Sequence, residues 1–319
     1  SFINEDSISL RYLNYASFLI EENANTNIYW AKILNQELIK NSITIYPPLS
    51  EQQKIADYLD KKCSKIDEQK VNYEKSIELL KEYKQSLITK AVTKWLNKNV
   101  EMKDSGIDWI GEIPKHYEIW KIKNIAELHW RIWFRWYTQE DLVDEWEWAI
   151  TLSPSNMKNW KMDYSKCTYI SRFKYEESPE IKVKNDVTLL VKTGSTYWKT
   201  SYIDNLPMEA TINPQLLIIE SNNFNNKFFF YYTQSLMFSN FINITVVWWT
   251  IPTIAQEKIN NYNILIPTIE EQKQIADYLD KECSRIDKII SYREEMIEKL
   301  EEYKKSLIYE YVTGKKEVL

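Results

Sequence analysis

The stretch PPLSEQQKIADYLDKKCSKIDEQKVNYEKSIELLKEYKQSLITKAVT, residues 47–93, is written a second time at 267–313 as PTIEEQKQIADYLDKECSRIDKIISYREEMIEKLEEYKKSLIYEYVT. The register holds at an offset of 220 throughout: Tyr58 answers Tyr278, and Val92 answers Val312. A repeat this long means two equivalent structural units in one chain. Both copies carry a heptad seam. Leu59, Ile66, Ile77, Leu80 and Leu87 fall on it in the first copy, and Leu279, Ile286, Ile297, Leu300 and Leu307 in the second. Steps of four and three alternate along the full series, the spacing of a coiled coil. Lys70, Lys84, Arg293 and Lys304 interrupt it. A helix of about 43 residues would run roughly 65 Å at 1.5 Å per residue, more than a compact domain needs. A lone helix of this polarity is marginal, so each copy is expected to pair with the other. Two amphipathic helices in separate cores are the competing arrangement. Each copy opens on a candidate capping box, Ser50 with Gln53 and Thr268 with Glu271.

Outward from the repeats the pattern changes. In residues 1–46, YLNYASFLI reads as a helix and SITIYP as a strand. Residues 98–120 read as a linker with an entry strand. From 121 to 266 short strands alternate with turns: AITLSP, CTYISRF, VTLLVKT, QLLIIES and YNILIP. One helix, KFFFYYTQSLMFSNFI, interrupts them. The fold class is therefore α+β, globular sheet-bearing parts joined by two long helices. The expected divisions are 1–46, 47–97, 98–266 and 267–319.

Composition narrows the function. A chain of 319 residues holds about two domains. A net charge of −5 speaks against a uniformly basic nucleic-acid binder, so any such role must be local. No apolar run of 18 residues spans a membrane. Cys63, Cys167 and Cys283 lack metal-ligand spacing and fit a reducing, cytoplasmic setting. The chain opens on Ser1 inside a strand- and loop-like stretch, the expectation for a fragment that has lost its beginning. Glycine occurs 4 times, where about 7% is usual, and tryptophan 13 times. Trp30, Trp95, Trp130, Trp133, Trp136, Trp146, Trp148, Trp160, Trp198, Trp248 and Trp249 stand mostly in turn contexts that call for glycine. The expectation is that in-frame UGA codons, glycine in the source organism, are written here as tryptophan. A Trp-rich surface for base stacking is the alternative.

Catalytic constellations are sparse. His116 and His129 have no acid–nucleophile set beside them. No Gly-rich phosphate loop occurs. Asn213-Pro214-Gln215-Leu216 reads as a turn, and Asp186 with Glu220 lacks the lysine of a metal nuclease. Local charge says more. Lys121, Lys123, Arg131 and Arg135 face a single Glu127, and Lys182, Lys184, Lys192 and Lys199 a single Asp186. The second run contains KTGSTY, whose backbone N–H groups, hydroxyls and lysine suit phosphate oxygens. Arg131 and Arg135 are candidates for guanine edges. With Tyr137, Lys158, Lys161, Lys192, Ser195, Thr196 and Lys199 they form the candidate DNA-binding set.

These residues carry a resemblance. PPLSEQQKIADYLD and PTIEEQKQIADYLD resemble segments of the specificity subunit of type I restriction–modification systems. KDSGIDWIGEIPKHYEIWKIKNIAEL resembles the entry to that family's second target recognition domain. With glycine at the tryptophans, RIGFRGYTQEDL, KTGSTYGK and GGTIPTIAQEKI are similar to later parts of it. TINPQLLIIES continues the likeness. The resemblance implies target domain, helix, target domain, helix, with the helices antiparallel. Residues 1–46 would be the tail of a first target domain, with Gln36-Glu37 matching Gln256-Glu257. It implies reading of double-stranded DNA, half-site spacing set by the helical pair, and no catalysis in this chain. Methyltransferase subunits would flip and methylate adenine; restriction subunits would translocate and cleave. S-adenosylmethionine, ATP and Mg would bind those partners, leaving this chain without metal or cofactor. A structural coiled-coil protein, a silent truncated specificity cassette and a fused methyltransferase or nuclease are the competing readings.

Overall fold

The structure is a computed structural model. It describes residues 8–19, 25–26, 32–33, 45–94, 99–107, 110–131, 137–145, 147–221, 223–245 and 253–318. Along the chain come α1 (Leu10–Ala16), β1 (Asn25–Thr26), β2 (Lys32–Ile33) and α2 (Leu49–Lys94). Then follow β3 (Met102–Asp104), β4 (Glu112–Pro114), β5 (Glu118–Lys121), β6 (Glu127–His129), β7 (Leu142–Val143), β8 (Ala149–Leu152), β9 (Met157–Lys158), β10 (Lys161–Met162) and β11 (Thr168–Ile170). The rest are α3 (Arg172–Glu176), β12 (Lys182–Val183), β13 (Val187–Val191), β14 (Thr200–Ile203), β15 (Ala210–Ile212), β16 (Leu216–Glu220), α4 (Asn226–Thr233), α5 (Leu236–Thr245), α6 (Gln256–Asn260), β17 (Asn263–Ile266) and α7 (Ile269–Val312). The chain divides into two units, residues 1–80 with 287–319, and residues 81–286.

In the first unit the repeats meet. Lys70 Nζ bonds Glu301 Oε1 at 2.5 Å, and Lys304 Nζ bonds both carboxylate oxygens of Asp67 at 2.7 Å. The Tyr58 and Tyr311 rings lie 4.5 Å apart. Numbers rise on α2 as they fall on α7, so the segments run antiparallel. Leu59, Ile66, Ile77 and Leu307 are buried, and Leu80, Ile297 and Leu300 half-buried, as the heptad series requires. Lys70 and Lys304, two of its charged interruptions, each find a carboxylate on the facing helix.

The second unit is layered. A five-stranded sheet runs β12-β15-β8-β11-β7, with only β8 and β15 parallel, and a four-stranded antiparallel sheet runs β14-β13-β16-β6. Strands β13 and β16 are apolar on both faces. Leu189, Val191, Leu216 and Ile218 pack toward the five-stranded sheet, with Ile150, Leu152 and Ile212. Leu190, Leu217 and Ile219 pack on the opposite face against α4, α5 and the neighbouring ends of α2 and α7. The period of two therefore serves two cores at once, which is why VTLLV and LLIIE read as unbroken apolar runs. Leu279 and Ile286 are buried and Leu87 half-buried.

Several expectations are corrected. Ser50 and Gln53 form no capping box: the helix already begins at Leu49, and Gln52 turns back to the Pro47 carbonyl at 2.8 Å. Thr268 and Glu271 do form theirs. Residues 45–48 are not strand, and 42–44 lie outside the described residues. The segment 98–120 holds a hairpin, β3–β4, ahead of β5. The apolar run 227–242 is two helices, α4 and α5, because Ser235 Oγ accepts from the Phe238 N–H and starts a new helix.

Candidate nucleic-acid interface

Two hairpin tips in the second unit carry most of the candidate residues. The first joins β9 to β10, whose register pairs Lys158 with Lys161 and leaves Asn159-Trp160 as a two-residue loop. Both loop residues have positive φ, 47° and 67°. That is the primed turn matching the twist of antiparallel strands. Asn156 anchors the hairpin from beneath. It is 3% exposed, accepts from the Ser153 N–H at 2.9 Å, and donates to the carbonyls of Asp163 and Lys166 at 3.2 and 2.9 Å.

The second tip, residues 192–199, joins β13 to β14. Its base is fixed by the Lys192 N–H on the Gln215 carbonyl and the Ile254 N–H on the Lys192 carbonyl, both 2.9 Å. Gly194 sits at φ 116°, and a Cβ there would stand 3.3 Å from the Gln215 amide nitrogen. The loop therefore admits only glycine at its tightest point. Ser195 and Thr196 are exposed at the apex. Lys199 Nζ bonds the Met157 carbonyl, which ties the second tip to the first. Lys158, Lys161, Ser195, Thr196 and Lys199 are thus brought to one edge.

The charges there are not all equal. Lys158 is paired with Asp163, and that hydrogen bond, with Ser165 adding to it, holds the Asp163 carboxyl far below the usual carboxylate range. Lys161 is exposed. Lys192 is half-buried, and burial pushes its ammonium pKa down.

Arg131 is placed otherwise than the charge run implied. It is 2% exposed; Nε donates to the Ile212 carbonyl and Nη2 to Thr211 Oγ1, both at 3.0 Å. Its guanidinium carbon lies 5.4 Å from the centre of the Tyr137 ring. Burial lowers the Arg131 pKa and raises that of Tyr137. Arg131 is thus held on β15 by its Ile212 and Thr211 bonds, with the half-exposed Tyr137 ring beside its guanidinium. Arg135 lies outside the described residues. Sequence reasoning missed Asn156, although Ser153-Pro154-Ser155-Asn156 has the spacing of a polar cap in which Ser153 and Asn156 bond reciprocally.

Among the described residues no cluster of three or more His, Cys, Asp or Glu could hold a metal ion. His116 bonds Glu271 at 2.7 Å, and His129 lies 3.6 Å from Glu127. Among the described residues no helix is long and apolar enough to cross a membrane. The tips offer ammonium groups, hydroxyls and turn backbone, which is chemistry for holding phosphate oxygens.

Residues 114–302 match the sequence profile of the type I restriction modification DNA specificity domain. The chain belongs to this family. It is similar to the type I restriction enzyme MjaVIII specificity subunit of Methanocaldococcus jannaschii, 25% identical over 94% of this chain and 67% of that one. It also resembles the EcoBI specificity subunit of Escherichia coli, 32% identical over 98 residues, which are 30% of this chain and 21% of that one. A solved structure described for the assembly and conformational transition of a type I R-M system covers 97% of this chain and 72% of its own, with a TM-score of 0.72 at 12% identity. The HsdS subunit of Thermoanaerobacter tengcongensis covers 98% and 72%, with a TM-score of 0.51 at 12% identity.

Proposed function

We propose that this specificity subunit reads duplex DNA with the edge formed by residues 157–162 and 192–199, and contributes no catalysis of its own. The observation that carries the reading is the convergence of the two tips, one bearing Lys158 and Lys161 and the other Ser195, Thr196 and Lys199. The second tip rises from β13, which is buried on both faces, and Lys199 ties the first tip to it. The acidic total of the chain does not oppose this, because binding depends on the charges that reach phosphate. Methylation and cleavage fall to methyltransferase and restriction subunits, which bind S-adenosylmethionine, ATP and Mg. Spacing between half-sites falls to the helical pair.

The test is the salt dependence of binding to random-sequence duplex DNA, measured for the chain with its methyltransferase partner. Each phosphate contact contributes about 0.9 to the slope of log K against log salt, so Lys158→Ala with Lys161→Ala should lower the slope by about 2. An unchanged slope would remove these tips from the interface.

A further inference from the structure

The two units contain the same fastening, whose short-helix half lies outside the 220-residue register of the long repeat. In the second unit Asn225 caps α4: its side chain accepts from the Phe228 N–H at 2.8 Å. The Asn225 N–H in turn donates to Gln272 Oε1 at 2.9 Å, and Gln272 Nε2 donates to the Pro267 carbonyl at 2.9 Å. Two turns further along, Tyr231 donates its hydroxyl to Asp280 Oδ1 at 2.6 Å, and Lys227 pairs with the other oxygen of Asp280. The first unit repeats this with other residues. Ser9 caps α1 by accepting from the Tyr12 N–H, and the Ser9 N–H donates to Gln52 Oε1 at 2.9 Å. Gln52 Nε2 donates to the Pro47 carbonyl at 2.8 Å. Tyr15 donates to Asp60 Oδ1 at 2.7 Å, and Arg11 Nε to Asp60 Oδ2 at 2.8 Å.

On the long helices the partners stand 220 apart. On the docked helices Ser9, Arg11 and Tyr15 answer Asn225, Lys227 and Tyr231 at an offset of 216. The second copy is therefore four residues longer between its tyrosine and its proline. Cap, cation and tyrosine keep their spacing, while Ser becomes Asn and Arg becomes Lys. A chance contact would not recur with the same geometry and different residues. In the second unit the fastening also reaches the recognition sheet: Lys227 lies 5.5 Å from the Tyr202 ring centre, and Tyr202 donates to Asp186 at 2.6 Å in the turn before β13.

We propose that Gln272 and Asp280, and their counterparts Gln52 and Asp60, are positioning residues. Each pair holds a short capped helix at one angle on the opening turns of a long helix. In the second unit this aims the recognition edge. The inference rests on the reading of that edge only for what is being aimed. The test places spin labels, through an unnatural amino acid, at Lys166 and Lys281 of the full chain and reads their distance distribution without DNA. One narrow distance is expected for the unaltered chain. Asp280→Ala and the milder Tyr231→Phe/Lys227→Met should lose it. Asp277→Asn, one turn earlier on α7, should keep it. Hydrogen exchange of the Leu189, Leu190 and Leu217 amides should stay unchanged in all. A narrow distance retained by a folded Asp280→Ala or by the double variant overturns the proposal, and leaves the DNA reading untouched.

A second observation stands apart from the first. Positive φ occurs among the described residues at all four glycines of the chain, at Asn159 and Asp186, and at Trp160 and Trp198. Asn and Asp tolerate the left-handed region; tryptophan has no means to. Trp160 is the second residue of the primed two-residue turn, where Asn-Gly is the favoured pair. At Trp198 the opposite residue Val191 bonds two successive positions. The Trp198 N–H donates to the Val191 carbonyl, and the Val191 N–H donates to the Lys199 carbonyl, both at 2.8 Å. That is a bulge whose first residue is ordinarily glycine. We infer that residues 160 and 198 are glycine in the natural protein, encoded by UGA. Peptide mass spectrometry of protein purified from its source should read Asn-Gly-Lys over 159–161 and Tyr-Gly-Lys over 197–199. Tryptophan at either position overturns the inference there.

Discussion

Arg131 shows how far a residue's type misleads about its place. In sequence it is one of four cations facing a single Glu127, which reads as a basic surface. Among the described residues its side chain is the largest that is fully buried, and its guanidinium answers the Ile212 carbonyl and Thr211. Nothing local marks this, because the partners lie about eighty residues away and are brought up by strand pairing. Removing it leaves buried acceptors unmet, and hydrogen bonds from a charged donor are worth about 1.5–3 kcal/mol. Arg131→Ala should therefore lower unfolding free energy by about that amount in denaturant titrations, with little change in the salt slope of DNA binding. A steep loss of slope at full stability would return Arg131 to the DNA surface. The tip residues were legible for the opposite reason. Ser195 and Thr196 sit in a short polar turn and Lys158 and Lys161 flank another, and such turns stay on the surface.

At the scale of elements, α1 and α2 illustrate what a repeat reveals and what it hides. The heptad series named the buried seam, because period alone decides which face of a helix turns inward. The strands VTLLV and LLIIE were equally legible, since an apolar run this short with turn residues at both ends has the length of a strand and not of a helix. The docked helices were legible as helices, α1 in YLNYASFLI and α4 within KFFFYYTQSLMFSNFI, but their docking was not. Their fastening is polar, their offset differs by four from that of the repeat, and the apolar run covering α4 and α5 hides the serine that divides them. The α1 fastening also carries a pH signature. Arg11 first, then Tyr15, holds the Asp60 carboxyl below its usual range. A depressed carboxylate stabilises the folded state above the unfolded value, near pH 3.9, and that contribution is lost as pH falls through the folded value. The Asp60 side chain is 42% exposed and the Arg11 side chain 56%, so solvent screening keeps the contribution of the pair small. The stability gap between the unaltered chain and Asp60→Asn should hold from pH 7 to about pH 4.5 and close below pH 3.9. A gap that does not narrow at all as pH falls below about 3.9 would mean that Asp60 acts through packing and not through charge.

At the scale of the whole molecule the question is what α2 and α7 measure. They are 46 and 44 residues long, far beyond the span needed to close a sheet domain. Within the first unit their register is pinned by Lys70 with Glu301 and Lys304 with Asp67. Those pairs are exposed and weak one by one, so their use is to choose one register among those the seam alone would allow. Seven residues inserted after Val71 in α2 and after Lys299 in α7 keep the seam facing inward, because one heptad returns every side chain to its face. The insertion adds about 10 Å of helix at 1.5 Å per residue. That equals about three base pairs at 3.4 Å each. Assayed in a chain that carries two recognition domains and with the partner methyltransferase, the methylated sites should keep their half-site bases and widen the gap between them. Inserting two residues instead turns the seam about 200° away from its partner and should cost stability without giving any new gap. Methylome sequencing reads both outcomes. If the seven-residue insertion changes half-site bases and leaves the gap alone, the helices are not the measuring element. Spacing would then have to be set by the docked helices and their carboxylate fastenings.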